Sequence, residues 1–163
     1  MIHFCEKLIK MEYGENIKLL NNILWCHDLV SRDWTIKGYK KLCEINNVSS
    51  FWRLFNNFKK IGWKRYHFYF MREGSLPLWE ENINGGIFII CDVDLQLWEE
   101  TGLYYVSGVL GENINGISIN LKDDKLLIKI WCINNTPQIN PEFLEKIKGK
   151  QIYFSLNKKN KKK

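Results

Sequence analysis

An α+β domain built on a sheet that is at least partly antiparallel is expected from three features of the chain. Seven segments rich in β-branched and aromatic residues, at 23–29, 39–45, 66–72, 86–92, 116–122, 125–132 and 151–156, read as strands. Asp123-Asp124 leaves two residues between Lys122 and Lys125, a connection that makes an antiparallel hairpin and is far too short for a parallel crossover. Three helical segments separated by strands complete the pattern. At 163 residues, 45% apolar and 26% charged, the chain is the size of one domain. Its expected limits are 17–156, with an N-terminal extension at 1–16 and a basic tail at 157–163.

The helices follow from caps and periodicity. Ser49 or Ser50 can cap a helix running to about Lys60, Asp94 one from Leu95 to about Ser107, and Asn140 with Pro141 a shorter one to Lys148. At 100° per residue, Phe51, Leu54, Phe55 and Phe58 share the inward side of the first helix, and Trp52 stands off it. In the second, Leu95, Trp98, Gly102, Tyr105 and Val106 face inward, leaving Leu103 outward near Glu99 and Glu100. An exposed tryptophan and leucine on neighbouring helices either mean nothing singly or form a patch for a partner.

Charge and cysteine usage exclude several classes. The net charge is +6, but Lys158, Lys159, Lys161, Lys162 and Lys163 supply five of those charges, leaving the rest of the chain at +1. A nearly neutral body does not grip polyanions broadly, so nucleic-acid recognition would need a local site. Cys5, Cys26, Cys43, Cys91 and Cys132 lack metal spacing and read as free thiols in a reducing compartment. His3, His27 and His67 are scattered and read as unremarkable. No apolar run approaches the roughly 18 residues of a membrane span, and Glu6 and Lys7 interrupt the stretch a signal peptide needs. A cytoplasmic single domain without cofactor, metal or membrane contact is expected.

The tryptophans carry the strongest chemical signal. Trp25 and Trp98 lie in apolar periodic segments and read as packing. Trp34 follows Ser31-Arg32-Asp33, and Trp79 stands between Pro77 and Glu80-Glu81-Asn82. A large aromatic in a polar loop has little to bury itself against and is a candidate stacking platform for a planar ligand. On the last hairpin, Leu126, Ile128 and Ile130 alternate with Lys125, Leu127, Lys129 and Trp131, so one face is apolar and the other cationic. Ser118, Asn120 and Lys122 fall beside those lysines. Without the loop tryptophans this would be an ordinary solvent-facing sheet surface.

Two loop tryptophans, a neighbouring acid and a lysine cluster meet the needs of a methylated, cationic guanine carrying phosphates. A purine methylated at N7 is positively charged, so indole faces attract it by cation–π interaction as well as stacking. Glu80 can accept from the guanine N1–H and exocyclic amine, an edge adenine lacks, and Lys122, Lys125 and Lys129 can meet the phosphates.

From about Leu20 to Leu156 the sequence resembles the messenger-RNA cap-binding proteins of the translation initiation factor 4E type. The resemblance rests on Val48-Ser49-Ser50-Phe51-Trp52-Arg53-Leu54-Phe55-Asn56-Asn57, on Arg72-Glu73-Gly74-Ser75-Leu76-Pro77-Leu78-Trp79-Glu80 with Gly85-Gly86 following, and on the hairpin from Gly116 to Trp131. It implies a strongly curved, mostly antiparallel sheet with three helices on its convex face and the RNA 5′ cap in its concave mouth. It also implies no covalent chemistry. By resemblance, Trp34 and Trp79 are the stacking pair, Glu80 reads the guanine edge, and Trp131 lies near the N7 methyl. Lys122 replaces a usual phosphate arginine. Leu127 stands where a second phosphate lysine is usual, so Lys125 or Lys129 is expected to substitute, and Ile87 stands where arginine is common. Val48, Trp52, Glu100 and Leu103 match the convex patch that receives the Tyr-x-x-x-x-Leu-Φ helix of scaffold factor 4G and of translational repressors, whereas Glu99 occupies a usually apolar position. Trp63 has no counterpart and reads as loop packing or an added RNA contact, with packing preferred.

The expected function is therefore binding of capped messenger RNA by a monomer that recruits a scaffold. The alternatives are a cap-binding repressor or competitor lacking productive scaffold engagement, and a tryptophan-lined carbohydrate-binding module. An enzyme is not expected, because no nucleophile and base have recognisable spacing.

Overall fold

In the computed structural model, which describes residues 17–82 and 84–156, nine strands and three α-helices alternate along the chain. The expected extension at 1–16 and tail at 157–163 lie outside the described residues. The strands are β1 (Lys18–Asp28), β2 (Tyr39–Asn47), β3 (Tyr66–Arg72), β4 (Gly86–Val93), β5 (Gly111–Glu112), β6 (Ile114–Lys122), β7 (Lys125–Cys132), β8 (Gln138–Ile139) and β9 (Ile152–Leu156). The helices are α1 (Val48–Asn57), α2 (Leu95–Val106) and α3 (Pro141–Lys146). Seven strands form one sheet in the order β2-β1-β3-β6-β7-β4-β9, antiparallel at every pairing, and β5 with β8 forms a small second pair.

The β6–β7 hairpin shows how the sequence sets the register. Asp123 and Asp124 both adopt positive φ, 50° and 60°, the left-handed pair that matches the twist of a two-residue hairpin. Lys122 therefore opposes Lys125, and Ile117, Ile119 and Leu121 oppose Ile130, Ile128 and Leu126. The isoleucines join Leu24, Cys26, Phe68, Phe70 and Ile90 in one core, to which Phe51, Leu54 and Phe55 of α1, Trp98 and Tyr105 of α2, and Phe143 of α3 also belong. All three helices thus cover one face of the sheet and leave the other for the site.

The helix ends refine the expectation. Asn47, not Ser49 or Ser50, caps α1. Its backbone is still extended from β2, its side chain accepts from Ser50 N at 2.8 Å, and Ser50 Oγ accepts from Asn47 N at 3.3 Å. The α-helix stops at Asn57, and Phe58–Lys60 continues as a 3-10 turn. Asp94 and Asn140 cap α2 and α3 as expected, and α3 ends at Lys146. Thr101 and Tyr104 of α2 are buried beyond the expected stripe because α3 packs on that side, with Phe143 5.2 Å from the Tyr104 ring. Gly102 is where α1 and α2 approach closely: a Cβ there would lie 2.6 Å from Phe55 Cζ.

Two tryptophans divide between the faces. Trp98 is fully buried in the helix-side core. Trp25 packs on the opposite face against Tyr69, Met71, Ile87 and Trp131, since Leu24 and Cys26 take the core side of β1. Trp63 packs partly buried against the helix-side core, with Lys64 Nζ 5.4 Å from its ring centroid.

Candidate functional site

The open face, expected to be cationic, is also an aromatic and polar floor. Ser118 and Asn120 are buried, Trp131 is only 4% exposed, and Lys129 is half-buried. The Trp131 indole donates to Ser118 Oγ at 3.1 Å, and the same hydroxyl donates to Asn120 Oδ1 at 3.1 Å. Tyr69, Met71 and Ile87 form one buried cluster with Trp131, and Trp25, Tyr39 and Ile89 pack against it. Ile87 lies in this floor at 1% exposure.

Trp34 and Trp79 rise at two edges of the floor, 54% and 40% exposed. Trp34 stacks on His27, with ring centroids 4.2 Å apart and planes within 9°. His27 contacts Tyr39 at 4.7 Å, Tyr39 contacts Tyr69 at 5.4 Å, Tyr69 contacts Trp131 at 6.0 Å, and Trp131 meets Trp79 at 6.5 Å and 73°. An unbroken run of rings therefore links one exposed tryptophan to the other. Each outer indole is held from behind, so its plane is set before any ligand arrives.

The loops explain those placements. Asp33 Oδ1 accepts from Thr35 N at 2.9 Å and from Thr35 Oγ1 at 2.6 Å, an Asx-type turn that presents Trp34 between them. The Asp33 carbonyl receives His27 Nε2 at 2.8 Å. A carbonyl only accepts, so Nε2 carries the proton. Gly38 approaches the same carbonyl so closely that a Cβ would lie 1.8 Å from the oxygen. Trp79 and Glu80 open a 3-10 turn, Trp79–Asn82. Asn82 ties it down, donating to Leu78 O at 3.1 Å and accepting from Asn115 Nδ2 at 2.9 Å. Glu80 is exposed, and its charge adds to burial in raising the Tyr39 pKa.

His27 and His67, unremarkable in sequence, pair across β1 and β3 beneath this site. Burial first, then Lys129 and His27, push the His67 pKa down from 6.5 to about 4. Neutral His67 therefore favours the fold, while the unfolded chain takes up the proton first as pH falls. Solvent screening of this partly exposed ring discounts the shift, so stability should drop by about 1–2 kcal/mol between pH 6.5 and 4 from this group, and be insensitive to it above pH 7. Urea unfolding of the wild type and of His67→Gln across that window checks this; equal slopes in the two proteins would refute it.

The lysines form a line. Lys122 and Lys125 are exposed at the hairpin, and Lys125 Nζ lies 3.6 Å from Asp92 Oδ2. Lys129 sits further along β7, where burial and then nearby Lys122 lower its pKa. Among the described residues no carboxylate pairs with Lys129, so its environment suits an incoming anion. Leu127, Lys122 and Lys125 also line an open groove of about 520 Å³ that reaches Lys150 and Tyr153, two residues without a motif in the sequence.

Across the sheet, Val48, Trp52 and Leu103 line a shallow apolar cleft between α1 and α2 with Leu19, Phe51 and Val106. Glu100 does not line it. Its Oε2 pairs with Lys146 Nζ at 2.6 Å, and Gln96 donates to Oε1 at 3.1 Å. Among the described residues no three His, Cys, Asp or Glu side chains gather as a metal site, and no helix is long and apolar enough to cross a membrane.

This architecture is similar to that of Ascaris suum eIF4E-3 in complex with m7G cap, at TM-score 0.69 and 17% identity over 91% of this chain and 96% of that one. It is also similar to schistosome eIF4E complexed with m7GpppA and 4E-BP, at TM-score 0.68 and 17% identity over 85% and 87%. A C. elegans eIF4E-3 complex with the 4E-binding protein Mextli and cap analog aligns at TM-score 0.59 and 22% identity over 74% and 76%. At such identities these likenesses bear on the fold. The sequence pattern of the family described as eukaryotic initiation factor 4E matches residues 20–163. That match spans the whole sheet except the first residues of β1, together with the three helices and both tryptophan loops, and so this chain belongs to the eukaryotic initiation factor 4E family of cap-binding translation factors.

Proposed function

We propose that the protein binds the 7-methylguanosine 5′ cap of messenger RNA on its open face and a scaffold helix on its helix face, acting in the cytoplasm as a non-catalytic translation factor. The observation that carries this reading is the run of rings joining two half-exposed tryptophans, with Glu80 beside one of them. Trp34 and Trp79 stack the charged purine, Glu80 reads its N1–H and amine, and Trp131 offers an apolar wall near the methyl group. Its own N–H is already spent on Ser118. Lys129 takes a phosphate in the interior, and Lys122 and Lys125 take the remainder as screened point charges. The family's Mextli and 4E-BP complexes support a protein partner at the α1–α2 cleft.

Tryptophan fluorescence titration with m7GTP and GTP tests the base site. We expect m7GTP to bind at least about tenfold tighter, because only it brings a cation to the indoles. Glu80→Ala should erase the preference for guanine over adenine nucleotides, a loss of about 10–100-fold for a pair of charge-assisted bonds. Equal affinity for m7GTP and GTP overturns the sandwich.

A second reading, cap binding without productive scaffold engagement, is favoured by Glu100, whose carboxylate is already held by Lys146 and Gln96. Trp52→Ala separates the two sides. It should weaken a Tyr-x-x-x-x-Leu-Φ peptide at least about tenfold by calorimetry and leave m7GTP affinity within about twofold, as expected of an interface aromatic. A wild-type protein that ignores the peptide supports the second reading.

A further inference from the structure

The groove beyond the hairpin has a chemistry that the base site leaves unused. Register carries the open face out to the sheet edge: Ser118 opposes Lys129, Lys129 opposes Ile89, and Ile89 opposes Tyr153. Tyr153 therefore lies on the rung of the half-buried lysine, two strands further out, on the same face, and 50% exposed. Among the described residues no further strand lies beyond β9. Lys150, just before β9, donates from its Nζ to the Asp92 carbonyl oxygen at 2.7 Å, and Lys125 Nζ lies 3.6 Å from the carboxylate of the same residue. Three lysines from two separate segments and one accessible phenol thus ring a space of about 520 Å³, within the range of small-ligand clefts. Asp92 and Asp123 also line it, and the lysines outnumber them.

We infer that this groove is a subsite for the first transcribed nucleotides of the RNA, with a base stacked on Tyr153 and a backbone phosphate at Lys150. The inference rests on the cap-binding reading, which sets where the chain of phosphates begins. A phosphate run leaving the base site meets Lys129 first, and from there Lys122 and Lys125 lie toward the hairpin while the Tyr153 ring lies on the same rung two strands out. A bare triphosphate has no use for a ring, whereas a nucleobase stacks on one whatever its sequence. Lys150 continues the line of charge toward the open edge, where a polymer can leave without crossing another strand.

The test compares m7GTP with a capped trinucleotide RNA on the full chain. The wild type should hold the capped trinucleotide about tenfold tighter than m7GTP. Tyr153→Ala should erase that gain and leave m7GTP affinity unchanged, and Tyr153→Phe should keep it, because stacking needs the ring and not the hydroxyl. Lys150→Ala should reduce the gain and lower the slope of log affinity against log salt by about 0.7 for the longer probe alone. Circular dichroism of each variant separates loss of the subsite from loss of fold. No gain from the added nucleotides, or an equal loss of both probes in Tyr153→Ala, overturns the subsite while the cap-binding reading stands. Failure of the wild type to prefer m7GTP over GTP overturns both.

Discussion

Replacing Trp79 with alanine should weaken m7GTP binding about 100-fold, with little change in stability. A stacked indole contributes roughly 1–3 kcal/mol, and the positive charge of the methylated base adds on the order of 1–2 kcal/mol when the site is partly dry. The stability side of the claim follows from what holds the loop. Trp79 is 40% exposed. The turn beneath it is fixed by Asn82, through Leu78 and Asn115, and by Gly85 N donating to Asn82 O at 2.9 Å. Trp34→Ala should match it in affinity, since Trp34 stacks on His27 and not on the main core. Fluorescence titration from the remaining tryptophans gives the affinity, and urea midpoints give the stability. An alanine variant that binds m7GTP like the wild type removes that indole from the site.

The strands were legible because turn chemistry bounds them. The spans of β3 and β7 match their expected limits to the residue, with Glu73-Gly74 ending the first run and Asp123-Asp124 opening the second. Strands β5 and β8 were not legible, because a two-residue pairing has no period to read. The exposure of Trp34 and Trp79 could be read from their polar neighbours. The importance of His27 could not: a single histidine in a strand looks the same whichever ring lies over it, and only the Ser31–Thr35 turn brings Trp34 back onto it. Lys129 shows the same limit. Alternation placed it on the open face, but its burial comes from β6 and β4 on either side, through Ser118 and Ile89. Pairing partners are non-local, so the dielectric around a charge is too. Glu100 stood out as a partner residue, while its bond to Lys146 joins residues 46 positions apart.

Trp98 anchors the other face, and Trp98→Ala should cost about 3–5 kcal/mol of folding stability, enough to unfold a domain of marginal stability near physiological temperature. The side chain is 0% exposed, and its ring packs 5.9 Å from both Phe55 and Phe58. Removing it opens a cavity where α1, its 3-10 extension and α2 meet. Those elements cannot simply close the gap: Phe55 is already lodged against Gly102, where even a Cβ would have 2.6 Å of room. Trp98→Phe should cost far less, about 1 kcal/mol. Among the described residues the buried indole Nε1 has no acceptor, so deleting that donor recovers part of its desolvation penalty and offsets the lost packing. The partner cleft depends on this joint, because Val48 and Trp52 lie on α1 and Leu103 on α2. The open face is held by the β-ladder instead. In mild urea, Trp98→Ala should therefore lose peptide binding before m7GTP binding, followed by calorimetry and fluorescence respectively. Simultaneous loss of the two would mean that the helices and the sheet unfold as one unit.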